Sequence, residues 1–106
     1  MVDVPSWCVT TNADNATATA TKAAPAGGIC HYITSVSGGF SVANAGKTLI
    51  LKDGTTEVGR WYVTSGQIVC FSSPIKLSPA TAANLELAAS GTGGQVGAAT
   101  MTGFTK

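Results

Sequence analysis

The sequence predicts an all-β fold: a jelly-roll-like antiparallel β-sandwich of about eight strands with an irregular N-terminal arm. No segment combines a 3.6-residue apolar period with helix-capping residues. Clusters of Gly, Ser, Asn and Pro interrupt the chain at short intervals, as is typical of short strands joined by turns. Large apolar side chains are few, which favours a thin core between two sheets.

At 106 residues the chain has the length of one domain. We expect residues 1–13 to form the arm and residues 14–106 to form the sandwich. In the first strand after the arm, Ala and Thr alternate in the stretch NATATATKA, so that Thr17, Thr19 and Thr21 share one face. A helix is the alternative for this alanine-rich stretch, but threonine at every second position favours a strand.

The stretch ICHYITSVS predicts the next strand, and Gly38-Gly39 predicts a bend or bulge because glycine accepts backbone angles that other residues resist. Further along, Asp53-Gly54 between two apolar segments predicts a hairpin, LILKDGTTEVGRWYV. We expect its loop to comprise the four residues from Asp53 to Thr56 rather than a two-residue turn. The stretch QIVCFSS predicts the strand after the hairpin.

Two prolines in PIKLSPATAAN argue against a central strand, since proline donates no ladder hydrogen bond. We expect a crossing connection there, with one helical turn after Pro79. The stretch ANLELAAS predicts a strand with Leu85 and Leu87 inward and Glu86 outward, and a helix is the alternative because Ala, Leu and Glu are good helix formers. The last predicted strand is QVGAATMTGF. Strands of this number and length fit a jelly-roll sandwich or a closed barrel.

Charged residues make up 10% of the chain and the net charge is +1, so neither nucleic acid nor a membrane is an expected partner. A net charge near zero promotes association, which favours a surface covered by partners; the alternative is that Thr, Ser and Asn keep the surface hydrated. The N-terminus lacks the basic start and apolar stretch of a secretory signal. The three cysteines cannot all pair within one chain, which agrees with synthesis in a reducing cytoplasm.

The single histidine, His31, is the one candidate general base, and strand alternation places it on the opposite face from Cys30. A half-buried, hydrogen-bonded structural histidine is the simpler interpretation. The cysteines and this histidine match no zinc-site spacing, and Cys30 and Cys70 are expected to be small core residues. The carboxylates are scattered, which argues against a calcium cage or a glycosidase pair. We therefore expect no enzymatic activity, cofactor or metal.

Several stretches within residues 20–106 resemble a family of short phage and prophage structural proteins: HYITSVSGGFS, LILKDGTTEVGRWYV, PIKLSPATAANLELAASGTGG and the closing TGF. These stretches are similar to small jelly-roll decoration (cement) proteins of tailed-phage capsids. The resemblance implies a homotrimer on the outer capsid surface of the virion, made in the host bacterial cytoplasm, that contacts the major capsid protein and stabilises the capsid lattice. Similar short β proteins of tail tips or fibres give the alternative, a module that binds host-surface carbohydrate. The aromatic residues available for such a module are Trp7, Trp61, Tyr32 and Tyr62.

The arm carries an apolar group that points to attachment. An exposed tryptophan in a polar segment is costly unless something covers it, so the arm either folds back over its own domain or inserts into a neighbour or the capsid. We expect the arm to be the capsid-anchoring element, and its removal to leave the sandwich folded. The predicted anchoring residues are Val4, Pro5, Trp7 and Val9.

The second half of the hairpin offers a candidate subunit interface. Arg60 and Tyr62 share one face of their strand, and Trp61 faces the other way. Because Tyr and Arg are enriched at interface hot spots, Arg60 and Tyr62 are the predicted interface residues. The alternative is that both lie flat on the domain surface while Trp61 anchors the core.

Overall fold

The computed structural model describes residues 6–42 and 46–106. Within these ranges the chain forms eight strands and no helix, so none is long and apolar enough to cross a membrane. The strands are β1 (Ser6–Asp14), β2 (Ala18–Lys22), β3 (His31–Phe40), β4 (Lys47–Asp53), β5 (Thr56–Val63), β6 (Gly66–Lys76), β7 (Ala83–Leu87) and β8 (Val96–Thr105).

The strands form two four-stranded sheets with jelly-roll connectivity. Sheet I has the order β1-β8-β3-β6 and sheet II the order β2-β7-β4-β5, with every pairing antiparallel. The pairs β1–β8, β2–β7, β3–β6 and β4–β5 are nested, so the chain is one long hairpin folded over itself. The predicted sandwich is therefore confirmed. It is open rather than closed into a barrel, since β1, β6, β2 and β5 are edge strands.

The core lies between the two sheets and follows the alternation of the sequence. Ala18 and Ala20 of β2 are buried while its threonines are exposed, and Leu85 and Leu87 of β7 are buried as predicted. The strand prediction for both stretches is confirmed. Alanines supply the small inward side chains that let the sheets approach. The larger core side chains are Ile33, Val36, Leu49, Leu51, Val63, Leu77, Leu85, Leu87 and Met101.

The proline-containing segment was predicted to be a crossing connection, but its first residues, Pro74 to Lys76, belong to β6, which has a bulge there. The ladder pairs Ile33 with Ile75 and Ser35 with Cys70, so four residues of β6 lie opposite a single residue of β3. Pro74 lies in this bulge on an edge strand, where its missing N–H costs no ladder bond. The expected bulge at Gly38-Gly39 is likewise wrong, because both glycines continue the ladder of β3.

The hairpin of β4 and β5 has a tighter turn than predicted. Asp53 pairs with Thr56, which leaves a two-residue turn with Gly54 at φ +65°. The Asp53 carboxylate accepts hydrogen bonds from the backbone N–H and the hydroxyl of Ser78, at 3.1 and 2.6 Å. The expected helical turn after Pro79 is absent, because Ala80 has φ +53° in the left-handed region.

The N-terminal arm is the main correction. Residues 6–13 belong to β1, which pairs with β8 along its whole length without a register shift. The physical reason is alternation: Trp7, Val9 and Ala13 face inward and pack against the core. Deleting residues 1–13 would therefore remove an edge strand of the sandwich. Val4 and Pro5 lie outside the described residues.

Candidate functional site

His31 is held in a buried corner between the two sheets. Its ring is 1% exposed, its Nε2 lies 2.7 Å from the backbone oxygen of Ala23, and its Nδ1 lies 2.7 Å from Oγ1 of Thr105. The same Oγ1 accepts a 2.9 Å hydrogen bond from Nε1 of Trp7, whose ring meets the His31 ring edge-on at 5.4 Å. The Lys22 ammonium lies 5.5 Å from the centroid of the Trp7 ring.

In the neutral form of His31, this network determines which ring nitrogen carries the proton. A carbonyl oxygen only accepts, so Nε2 carries the proton and donates to Ala23. The Thr105 hydroxyl accepts from Trp7 and donates to Nδ1 of His31. Both ring nitrogens are therefore occupied by structural hydrogen bonds, and the histidine ties β3 to the segment after β2. The network also fixes Trp7, which was predicted to anchor the chain to a capsid, against its own domain.

The cysteines differ in exposure. All three are free; Cys30 is buried as predicted, whereas Cys8 and Cys70 are exposed. The core position expected for Cys70 is wrong, because Cys70 shares the outward face of β6 with Ile68. Among the described residues, no group of three or more His, Cys, Asp and Glu side chains could hold a metal ion.

The aromatic segment of β5 separates into an inward and an outward part. Trp61 is half-buried and meets the Phe71 ring of β6 at a centroid distance of 5.9 Å. On the opposite face, Arg60 forms a 2.7 Å ion pair with Glu57, and Tyr62 is 69% exposed. The hydrogen bond from the Arg60 guanidinium lowers the pKa of the Glu57 carboxyl and raises the pKa of Arg60. Arg60 is thus partnered within its own strand, whereas the ring of Tyr62 is uncovered.

Exposed apolar side chains lie on both outer faces of the sandwich at the edge formed by β5 and β6. Strands β5 and β6 are the edge strands there, and the contact of Trp61 with Phe71 joins them. Tyr62 projects from the outer face of sheet II at this side, and Ile68, 75% exposed, from the outer face of sheet I. Val58 is 43% exposed at the register shift of β5. We call this surface the β5–β6 side. Its members are Val58, Trp61, Tyr62, Ile68 and Phe71.

The outer face of sheet I is rich in hydroxyl groups between its two ends. Facing residues form rows across the four strands, such as Thr10, Thr100, Ser37 and Ile68. An open groove of about 730 Å³ crosses this face where β3 ends and β6 begins, and Ile68 is one of its lining residues. Its uncharged polar lining includes Asn12, Ser37, Gln67 and Thr100.

The four aromatic residues considered as a sugar platform lie apart. Tyr32 stacks on Phe104 at the far end of sheet I, with ring centroids 4.9 Å apart and an ammonium 5.5 Å away on Lys106. Trp7 lies in the His31 corner, and Trp61 and Tyr62 lie on opposite faces of β5. The structure therefore brings none of these four residues together in the groove.

Reasoning from the sequence missed Ile68 and the groove. The alternation of QIVCFSS placed Ile68 on one face with Cys70 and Ser72, and that face is otherwise polar. An isoleucine on a polar face was the available signal for an exposed apolar residue. The groove carries no such signal, because its lining comes from strands far apart in the chain.

Comparisons with known proteins identify no family. No model of a known protein family matches the chain, and no curated protein is significantly similar to it. A solved structure, a carbohydrate-binding module CBM36 in complex with calcium and xylotriose, is similar over 92% of this chain and 76% of its own, at 20% identity and a TM-score of 0.38. A likeness of this degree carries no argument about function.

Proposed function

We propose that this chain is a structural protein of tailed-phage virions, a decoration protein that forms homotrimers on the outer capsid surface. In this role it is made in the host cytoplasm, contacts the major capsid protein and stabilises the capsid lattice. It acts by covering surface, with no catalytic step. The resemblance of residues 20–106 to decoration proteins and the jelly-roll connectivity support this proposal.

The observation that carries the proposal is the β5–β6 side. Tyr62 and Ile68 are 69% and 75% exposed in a domain whose net charge is only +1. Exposed apolar side chains on the edge strands of a weakly charged domain favour association. Full burial of one such side chain is worth about 1.5–3 kcal/mol, and a closed trimer repeats the contact at each seam.

Attachment to the capsid is assigned to a shorter segment than the sequence predicted. Trp7 and Val9 are part of β1, so the anchoring role is proposed for the residues before Ser6, which include Val4 and Pro5. A trimer presents three such segments to the lattice. Once one segment binds, the effective concentration of the others multiplies the affinity without any single contact being strong.

Removing the exposed side chains of the β5–β6 side is expected to give a folded monomer. The double substitution Tyr62→Ser and Ile68→Ser deletes apolar area that only a neighbour would cover, while the core is unchanged. Sedimentation equilibrium then measures the mass of the wild-type and substituted proteins. Val96→Ser is the matched control, because Val96 is a 37% exposed apolar residue on the central strand β8. A wild-type monomer at high concentration would contradict the trimer.

Phage particles that lack this protein are expected to release their DNA at a lower temperature than wild-type particles. The reason is that bound trimers add buried area at capsid joints. The measurement is a thermal ramp with a DNA-binding dye on purified particles, with mass spectrometry to count the copies per particle. Adding back the purified protein provides the control and should restore the wild-type temperature. Equal release temperatures, or absence of the protein from particles, would contradict the proposal.

A second candidate function, binding of a host-surface carbohydrate, is favoured by the groove on sheet I. The hydroxyl and amide groups of Ser37, Gln67, Asn12 and Thr100 match the donors and acceptors of an uncharged sugar. The groove lacks Trp7, Trp61, Tyr32 and Tyr62, which makes this the weaker candidate. A glycan array separates the two functions, because a decoration protein gives no glycan-dependent signal.

A further inference from the structure

In sheet I, edge strand β1 and the first half of edge strand β6 are unprotected, whereas the second half of β6 carries a bulge, Pro74 and Lys76. Strand β1 has nine residues, no proline, no register shift and a single charged residue, Asp14, at its end. The first five residues of β6, GQIVC, are also uncharged and regular. Within the described chain, β1 pairs with β8 alone and β6 with β3 alone, so each strand leaves one edge free. Proteins normally protect such edges with charges, proline, bulges or short length.

The edges of sheet II carry these protections. Strand β2 has only five residues and ends in Lys22. Strand β5 contains Glu57 and Arg60, and its ladder with β4 shifts register between Leu51 and Lys52. The contrast places the capacity for strand pairing in β1 and in the first five residues of β6.

We infer that copies of this chain join head to tail through sheet I, with β6 of one copy paired to β1 of the next. This inference deepens the proposed self-assembly and does not depend on the capsid. Three successive antiparallel pairings make β1 and β6 run in opposite directions. A neighbour rotated about an axis parallel to the strands keeps these strand directions. It therefore presents its β1 antiparallel to β6, and the sheet continues across the seam.

Half-buried side chains on both edges support this partner. Val9 on β1 and Val69 on β6 pack against the core but remain only partly buried, because no strand lies beside them. A continued sheet places Val69 of one copy beside Val9 of the next, which completes the burial of both. The same contact covers Ile68 and brings β5, with Tyr62, towards β2 of the neighbour.

Charge also fits this arrangement. The rows of sheet II run from Lys22 through Ala83 and Asp53 to Thr56, so a continued row brings Lys22 of one copy close to Glu57 of the other. No like charges meet between β1 and GQIVC. A two-fold pairing of β1 with β1 would leave the β5–β6 side uncovered, which argues against it.

The two exposed cysteines mark the register of the seam. Cys8 lies opposite Thr102, Thr102 opposite Ser35, and Ser35 opposite Cys70, so both cysteines lie in one row across sheet I. Continuing the rows without a shift places Cys70 directly opposite Cys8 of the next copy. Opposite residues of an antiparallel pair have Cα atoms about 4.5–5.5 Å apart, and a disulfide accepts about 4.4–6.8 Å.

Disulfide trapping of two single variants tests the seam. Cys8→Ser retains Cys70, and Cys70→Ser retains Cys8, so the inferred register allows a cross-link only when the two proteins are mixed. Each cross-link forms from two thiols as two electrons and two protons pass to dissolved oxygen, with a copper(II) complex as catalyst. We expect a covalent dimer from the mixture and at least tenfold less from either variant alone. The double variant Cys8→Ser/Cys70→Ser is the control for the buried Cys30.

Each outcome decides between the models. Cross-linking of one variant by itself, or none in the mixture, would overturn the head-to-tail register. Circular dichroism first confirms that the variants are folded. A trimer by sedimentation without cross-linking would keep the proposed assembly and reject this seam. Cross-linking without any effect on particle stability would keep the seam and reject the capsid function. Oxidative cross-linking of the wild-type protein is expected to give products no larger than a covalent trimer. Longer covalent oligomers would support the inferred seam but contradict a closed ring.

Discussion

Leu85→Ala is expected to lower the free energy of unfolding by about 3–4 kcal/mol, within the range measured for buried leucines. Leu85 is fully buried in β7, between Ala20 of β2 and Leu51 of β4. Its neighbour Ala20 is too small to fill the space that the substitution opens, so the cavity persists. Urea unfolding at one fixed protein concentration measures the loss, since an oligomer unfolds in a concentration-dependent way.

Val42→Ala is the control for this core substitution. Val42 is 55% exposed after β3, so its truncation should change stability by less than about 0.5 kcal/mol. A loss below about 1 kcal/mol for Leu85→Ala would contradict a tightly packed core at β7.

Local alternation made most of the fold predictable. Ala and Thr alternate in β2, and Leu85, Glu86 and Leu87 alternate in β7, so the buried face of each strand could be derived from the sequence. The β4–β5 hairpin could be derived in the same way from Asp53-Gly54. These features depend only on neighbouring residues, which is why the sequence contains them.

The features that sequence reasoning missed depend only in part on residues far apart. Strand β1 alternates Trp7, Val9 and Ala13 inward, a local signal that was overlooked, while its partner β8 lies at the other end of the chain. The bulge that accommodates Pro74 arises from the register of β3 and β6, which no local pattern encodes. The two-residue turn at Gly54 was missed although glycine at its first position is a local signal for such a turn.

The candidate site was predicted in part. Alternation placed Arg60 and Tyr62 on one outward face, and the structure agrees; their role at a subunit interface remains a proposal. The position of Ile68 at the same side could not be derived, because it depends on the order of strands in two different sheets. The inferred seam likewise needs the register across four strands to align Cys8 with Cys70.

Thr105→Val is expected to lower the free energy of unfolding by about 2–3 kcal/mol, although valine preserves the shape of threonine. The lost hydroxyl leaves Nδ1 of His31 and Nε1 of Trp7 without a partner. An unsatisfied buried polar group costs about 1–3 kcal/mol, and the half-buried Trp7 regains part of this from water. Urea unfolding measures the change.

Two further substitutions separate the hydroxyl from the methyl group of Thr105. Thr105→Ser keeps the hydroxyl that links Trp7 to His31, so it should lose less than half as much stability as Thr105→Val. Thr10→Val removes a hydroxyl that bonds to Thr100 and to the backbone oxygen of Ala99 on the outer face of an edge strand. Water replaces these bonds there, so the loss should be less than about 0.5 kcal/mol. Equal losses for the serine and valine variants at position 105 would mean that methyl packing, and not the hydrogen-bonded network, holds this corner. In that case the hydrogen bonds would not account for the packing of β1 on the sandwich. Capsid attachment through Trp7 would then need a direct test.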